Sequence, residues 1–215
     1  LFLEEAWKAL EDAGYAGHTL SERRCGVFVG AGTGDYHASL NQNKPELDAY
    51  TLMGSSPSIL AARLAYILNL KGASLAIDTA CSSSLVAIHE GCQSLLTGQN
   101  EMVLAGGVCV LTGPHMHIMT SKAQMLAADG RCKTFANQAD GFGIAEGVGI
   151  VVLKRLADAE RDGDHIYGVI KGSGINQNGA TNGITAPSAH SQTALELEVY
   201  KQAGIDPATI QLIEA

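Results

Sequence analysis

Apolar positions along this chain follow two patterns, one spaced for helices and one continuous. Residues 1–13 show the first: Leu3, Trp7 and Leu10 recur at helical spacing, and Gly14 marks a stop. Residues 24–30 (RCGVFVG) show the second, a short apolar strand running into the loop GAGTG. A polar stretch then runs to about Gly54. Ser55, Ser56 and Pro57 open a helix, with serine as a cap and proline in the first turn. Ile59, Leu60, Leu64 and Ile67 carry that helix to about residue 70. Strands are predicted at 73–77, 102–111, 147–153 and 166–171, and another begins at 210–214. Helices are predicted at 82–96, ended by Gly98, at 157–161 and at 189–202. The densest loop region is 112–145, which places His115 and His117 in a loop.

Strands thus alternate with helices, and the strands are apolar throughout rather than at every second residue. That is the pattern of a sheet covered on both faces, so the expected class is α/β. No repeat and no linker interrupt it. The formal net charge is −8 with no basic stripe, which argues against a nucleic-acid partner. The longest apolar run, 102–111, is too short to span a bilayer. Glu4 and Glu5 fall where a signal peptide needs apolar residues. The five cysteines are irregularly spaced, which fits neither a disulfide framework nor a zinc site and points to a reducing, cytoplasmic setting. The chain opens without Met inside a helical pattern, so a fragment is expected.

Residues 74–85 read SLAIDTACSSSL. An apolar strand meets Asp78, then small residues, then a helix. Small side chains permit a sharp turn that presents one residue at its apex, the geometry of a nucleophile elbow with Cys81 at the tip. A helix's first turn offers free N–H groups and the positive end of its dipole. Both stabilise a thiolate and an oxyanion beside it. The plain alternative is a small hydrophobe in a small-residue turn. No histidine has a strong claim as base: His89 lies eight residues further along the same predicted helix, about 12 Å along its axis. His18, His37, His165 and His190 stand alone. His115 and His117 have a spacing that suits metal, but no third ligand is evident.

Other segments carry weaker signals. VFVGAGTGDY resembles a strand and phosphate loop, but Asp35 occupies the slot of the third glycine, so a structural turn is the better account. ADGFGIAEGVG holds Asp140 and Glu146, either an acid–base pair or acceptors for backbone donors in a tight loop. NQNGATNGITAPS is a substrate-facing loop or a plain connection.

Together, DTACSSSLVAIHEGCQSL, LFLEEAWKALEDAGY, GRCKTF, ADGFG…EGVGIVVLKRLADA and NQNGATNGITAPS resemble the β-ketoacyl synthase (ketosynthase) family, in the family's order and over nearly the whole chain. The last of these looks more like modular polyketide synthases than stand-alone fatty-acid enzymes. The resemblance implies a thiolase-like, layered α-β-α-β-α fold, truncated here at both ends. Residues 1–155 would be the N-terminal half and 156–215 the beginning of the C-terminal half. Cys81 would be acylated from an acyl carrier protein. A malonyl unit on a second carrier would lose CO2 and attack the Cys81 thioester. Thr79, Ala80, Ser82, Asp140 and Glu146 would support the site, and the Cys81 N–H would contribute to the oxyanion hole. No metal or redox cofactor is implied; the phosphopantetheine arm belongs to the carrier. The strand ending at Asp78 and Thr79 resembles one that pairs across a homodimer.

Two positions depart from the family's habit, Ala145 before the Glu of EGVG and Ala136 after KTF. The family's two catalytic histidines belong to motifs beyond the closing IEA, which accounts for the absence of a base. A non-elongating ketosynthase, which only transfers acyl chains, and a non-catalytic scaffold are the alternatives.

Overall fold

The computed structural model describes residues 1–32, 34–35 and 48–214; Thr33, His37, the middle of the polar stretch and the final Ala215 lie outside the described residues. Two compact units are present, Leu1–Asp158 and Ala159–Ala215. The first is built on four strands: β1 (Cys25–Gly30), β2 (Ser74–Ile77), β3 (Met102–Cys109) and β4 (Gly147–Lys154). Their order is β2-β1-β3-β4. β1 lies parallel to β2 and to β3, and β4 runs antiparallel to β3.

The continuous apolar runs do what their composition demands. All six residues of β1 and the first five of β3 are buried. Alternate residues serve opposite faces. Cys25, Val27, Val29, Met102 and Leu104 join one core with Phe2, Ala6 and Leu10 of helix α1 (Phe2–Asp12). Ala61 and Leu64 of helix α3 (Pro57–Ile67) complete that face. Phe28, Val103 and Ala105 join the other core with Ala87 and Leu95 of helix α4 (Ser83–Leu96). Each fully buried Val or Leu contributes about 1.5–3 kcal/mol, so two-sided burial is what fixes these strands. β2 and β4 are the outer strands, and Leu75 is 46% exposed.

α4 lies close to the sheet because its inward stripe is small: Ser83, Ala87, Gly91 and Ser94. A Cβ on Gly91 would stand 2.9 Å from Val103 Cγ1. Proline opens α3 as expected, but the Ser56 hydroxyl bonds Ser58 Oγ at 2.8 Å rather than capping the helix.

Four sequence expectations need correction. The polar stretch contains a helix, α2 (Ala49–Ser55), which Asp48 and Thr51 start with a reciprocal capping box. Residues 112–145 contain helix α5 (His115–Lys122), so His115 and His117 are helical, not in a loop. Residues 166–171 and 210–214 belong to no strand. A strand exists through its ladder, and the described residues offer these segments none. Their apolar side chains are accordingly exposed, Val169 at 48% and Leu212 at 85%.

After β4 comes helix α6 (Leu156–Asp162). The second unit centres on helix α7 (Ala189–Ala203), capped by the Ser188 hydroxyl and ended by a left-handed Gly204. Residues 172–174 lie against α7, with Gly172 beside Ala203 and Val199. The loop after them is pinned to the same helix: Asn176 Nδ2 donates to Ser191 O (2.7 Å) and Ser191 Oγ donates to Asn178 O (3.2 Å).

Candidate active site

The turn from β2 into α4 is braced by its own side chains. The Ala80 N–H donates to Asp78 Oδ1 (3.1 Å), and the Thr79 N–H donates to Ser83 Oγ (2.9 Å). Ser82 Oγ donates toward Thr79 O and Thr79 Oγ1, both at 2.9 Å. Ser83 Oγ donates to Ala80 O (2.6 Å). Residues 80–82 form a single 3₁₀ turn ahead of α4. Ala80 sits at φ +57°, a left-handed conformation that costs a residue with a Cβ about 1–2 kcal/mol. Such a conformation persists only where its surroundings over-determine it, and this web of bonds does so. Cys81, next in the chain, is exposed. Its N–H stands in the first turn, where no earlier carbonyl of the helix can receive it.

Two glycines seat this turn on the sheet. Gly30 ends β1 and pairs in register with Gly107 of β3. A Cβ on Gly30 would lie 2.5 Å from Ser83 C and from Ser84 N. A Cβ on Gly107 would lie 2.8 Å from Ser84 Cβ. No larger residue fits at Gly30 without pushing the start of α4 outward. The parallel strands β1 and β2 therefore end beneath this turn, with β3 running two residues further, at the end of an α/β sheet where ligands bind. The GAGTG loop leaves the same end, and its Gly32 faces the Asp78 carboxylate. A carboxylate there opposes a phosphate, in keeping with a structural turn.

Asp140 and Glu146 bond different groups. Each has its own partner. Glu146 stands just before β4, and its Oε1 accepts the Leu111 N–H at 2.6 Å. It thereby ties the chain leaving β3 to the chain entering β4, at the same end of the sheet. Asp140 Oδ1 pairs with Lys133 Nζ at 2.6 Å, and Asp129 Oδ1 pairs with the same ammonium at 2.8 Å. The Lys133 hydrogen bond lowers the pKa of Asp129, and Asp129 and Asp140 together raise that of Lys133. The loop is closed further by a bridge of Leu126 to Phe142. Sequence reasoning quoted GRCKTF without seeing Lys133 as the pivot of this loop, and it missed Ser83. The signal for Lys133 was two acidic residues, Asp129 and Asp140, flanking one lysine.

The cysteines separate by environment. Burial pushes the Cys25 thiol up to about 12 and also raises that of Cys92. Cys25 belongs to the core and Cys81 to the surface. His89 lies on α4, and His115 and His117 lie on α5. Among the described residues, no three His, Cys, Asp or Glu side chains form a group able to hold a metal ion. No helix of the described residues is long and apolar enough to cross a membrane.

Comparison with known proteins agrees with this arrangement. Residues 1–159 match the β-ketoacyl synthase N-terminal domain, and residues 167–215 match the β-ketoacyl synthase C-terminal domain. Polyketide synthase PksL of Bacillus subtilis is 50% identical across all of this chain, which spans only 5% of that protein's length. The 6-methylsalicylic acid synthase of Aspergillus terreus is 44% identical across the whole chain, here 12% of its length. The ketosynthase from module 6 of the bacillaene synthase of Bacillus subtilis superposes with a TM-score of 0.90 at 50% identity. The match covers 98% of this chain and 36% of that one. The oxazolomycin ketosynthase domain OzmH KS7 of Streptomyces albus superposes at 0.86 with 36% identity, over 97% of this chain and 37% of that one. The α/β, thiolase-like class expected from sequence is the class of these domains. With a tight turn at the C-terminal ends of three parallel strands and both ketosynthase domain patterns along its length, the chain belongs to the β-ketoacyl synthase family.

Proposed function

We propose that this chain is part of a polyketide ketosynthase, an acyltransferase that condenses acyl units, and that Cys81 is its acyl acceptor. One observation carries the reading: Cys81 is exposed at the tip of a turn whose strained backbone is held by three side chains, those of Asp78, Ser82 and Ser83. A turn used only for chain reversal has no need of a left-handed alanine.

The Cys81 sulfur attacks the thioester carbonyl of an acyl chain on the phosphopantetheine arm of an acyl carrier protein. The Cys81 N–H receives charge on the carbonyl oxygen. The carrier's C–S bond breaks, the acyl–Sγ bond forms, and the Cys81 proton ends on the departing thiol. In the second step a malonyl-type thioester on a carrier loses CO2. Its carbanion attacks the acyl–Cys81 carbonyl, a C–C bond forms, and Cys81 leaves as thiolate. Thr79, Ala80 and Ser82 shape the turn, Glu146 ties the chain at the same end of the sheet, and Asp140 braces its own loop through Lys133. The base and the remaining oxyanion donors lie outside this chain in this reading. Alone, the chain therefore has no condensing activity. Residues 1–155 serve as the N-terminal half and 156–215 as the start of the C-terminal half. The outer strand β2 supports a homodimer, because its outer edge, which pairs with no strand among the described residues, offers a ladder to a second copy. The setting is cytoplasmic, where an exposed thiol stays reduced.

Intact-mass labelling of the complete ketosynthase domain with an acyl-thioester mimic tests the assignment. One adduct that disappears in Cys81→Ala is expected. An adduct that persists in the variant removes Cys81 from the role.

A further inference from the structure

We infer that the Ser83 hydroxyl is the positioning group of this turn: it fixes the Ala80–Cys81 peptide plane and so aims the Cys81 N–H at the reacting carbonyl. The inference rests on the reading of Cys81 as the acyl acceptor.

The geometry converges on one residue, whose backbone N–H donates to Ala80 O beside its hydroxyl. Ser83 Oγ accepts the Thr79 N–H at 2.9 Å and donates to Ala80 O at 2.6 Å. It thereby grips the Thr79–Ala80 pair at both ends. A hydroxyl has one donor and spare acceptor capacity, so a single oxygen fills both tasks. The Ala80 carbonyl and the Cys81 N–H belong to the same planar unit, and no cis peptide occurs among the described residues. In a trans peptide these two groups point in opposite directions. Holding the carbonyl toward Ser83 therefore turns the Cys81 N–H away from α4.

Ser83 is also the one brace of the turn withdrawn from solvent. It is 7% exposed, whereas Ser82 is exposed and water can stand in for its hydroxyl. The clamp cannot retreat, because the Ser83 backbone lies against Gly30 at the end of β1. Asp78 holds the Ala80 N–H from the other side. The left-handed Ala80 is thus the conformation that Ser83 enforces, and Cys81 inherits its direction.

Two rates in the complete ketosynthase domain separate positioning from general support. Acylation of Cys81 by a short acyl thioester needs an oxyanion donor; alkylation by iodoacetamide needs only an accessible thiolate. Ser83→Ala is expected to slow acylation about tenfold to a hundredfold while alkylation changes less than about threefold. Ser83→Thr, which keeps the hydroxyl, is expected to recover most of the acylation rate. In an Ala80→Gly background the penalty of Ser83→Ala shrinks, because glycine takes positive φ without a clamp. Parallel loss of both rates, an unaffected acylation rate, or an undiminished penalty beside Gly at position 80 overturns the inference. Should Ser83→Ala not fold, Ser83→Thr carries the test: acylation near the wild-type rate upholds it, and a tenfold loss with normal alkylation overturns it. Wild-type labelling that survives Cys81→Ala sinks the functional reading instead, so the two failures are told apart.

Discussion

β1 and residues 166–171 are nearly interchangeable as sequence, CGVFVG against IYGVIK, yet their fates differ. β1 lies between two parallel neighbours with every residue buried. The other segment joins no ladder, and Val169 and Ile170 are each 48% exposed. The difference teaches that an apolar run encodes a demand for burial, while strand identity comes from the neighbours that meet it. The first unit supplies them from α1, α3, α4 and the flanking strands. Among the described residues, nothing supplies them to 166–171.

The contrast is broken most forcefully by a charge. Val27→Asp places an unpaired carboxylate in the core and is expected to cost more than about 4 kcal/mol, abolishing the urea transition reported by Trp7 fluorescence. Val169→Asp is expected to move that transition by about 0.5 kcal/mol or less in this chain. Equal damage from both would dissolve the distinction.

Glycines sharpen it next. Gly30→Val drives a branched side chain into the start of α4, at a cost of about 1–3 kcal/mol in the same unfolding experiment, and slows Cys81 acylation in the complete domain. Gly168→Ala, with nothing within 4 Å of the added carbon, is expected to be silent in both assays.

A third test uses pH. The folded Cys25 thiol titrates at about 12, against an ordinary 9.0 in the unfolded chain. Below pH 9 both states hold the proton and burial is fully stabilising. Above it the unfolded chain loses a proton that the folded one keeps, so stability falls as pH rises from 9 toward 12. At pH 10.5 the loss attributable to Cys25 is about 2 kcal/mol, and Cys25→Ala removes that part of the slope. Chemical denaturation of both proteins at pH 8 and 10.5 checks it. In the native protein at pH 8, iodoacetamide should modify Cys81 and spare Cys25.

The smallest effect concerns the loop. Lys133→Met breaks two exposed ion pairs, so the melting temperature is expected to shift by only about 3 °C or less. Without the pivot, chymotryptic cleavage after the exposed Phe135 should quicken.

The strands of the first unit and helices α1, α3 and α4 were legible because their periodicities coincide with burial: Leu10 inward in α1, and Val27, Val29 and Leu104 inward in the sheet. α2 escaped notice because its apolar residues, Tyr50 and Leu52, face outward, and its capping box pairs Asp48 with Thr51 rather than with Glu or Gln. α5 was hidden among turn-forming residues. The exposed place of Cys81 on a tight turn was legible from local sequence, because that turn is made of consecutive small residues. Ser83 looked like one more serine in a run of three. Only the folded turn shows which hydroxyl faces inward. Asp140 and Glu146 stood out as carboxylates near glycines, but their partners, Lys133 and the Leu111 amide, come from elsewhere in the chain.

The Gly30–Gly107 pair bears on how such a site can be moved or copied. A designer who grafts DTACSSS onto another parallel sheet transfers the thiol and its braces. The receiving sheet must also offer bare backbone where two neighbouring strands end, or the helix stands off and the thiol points elsewhere. Searches for portable nucleophile turns should therefore screen the host strands for adjacent glycines before they screen for a compatible loop.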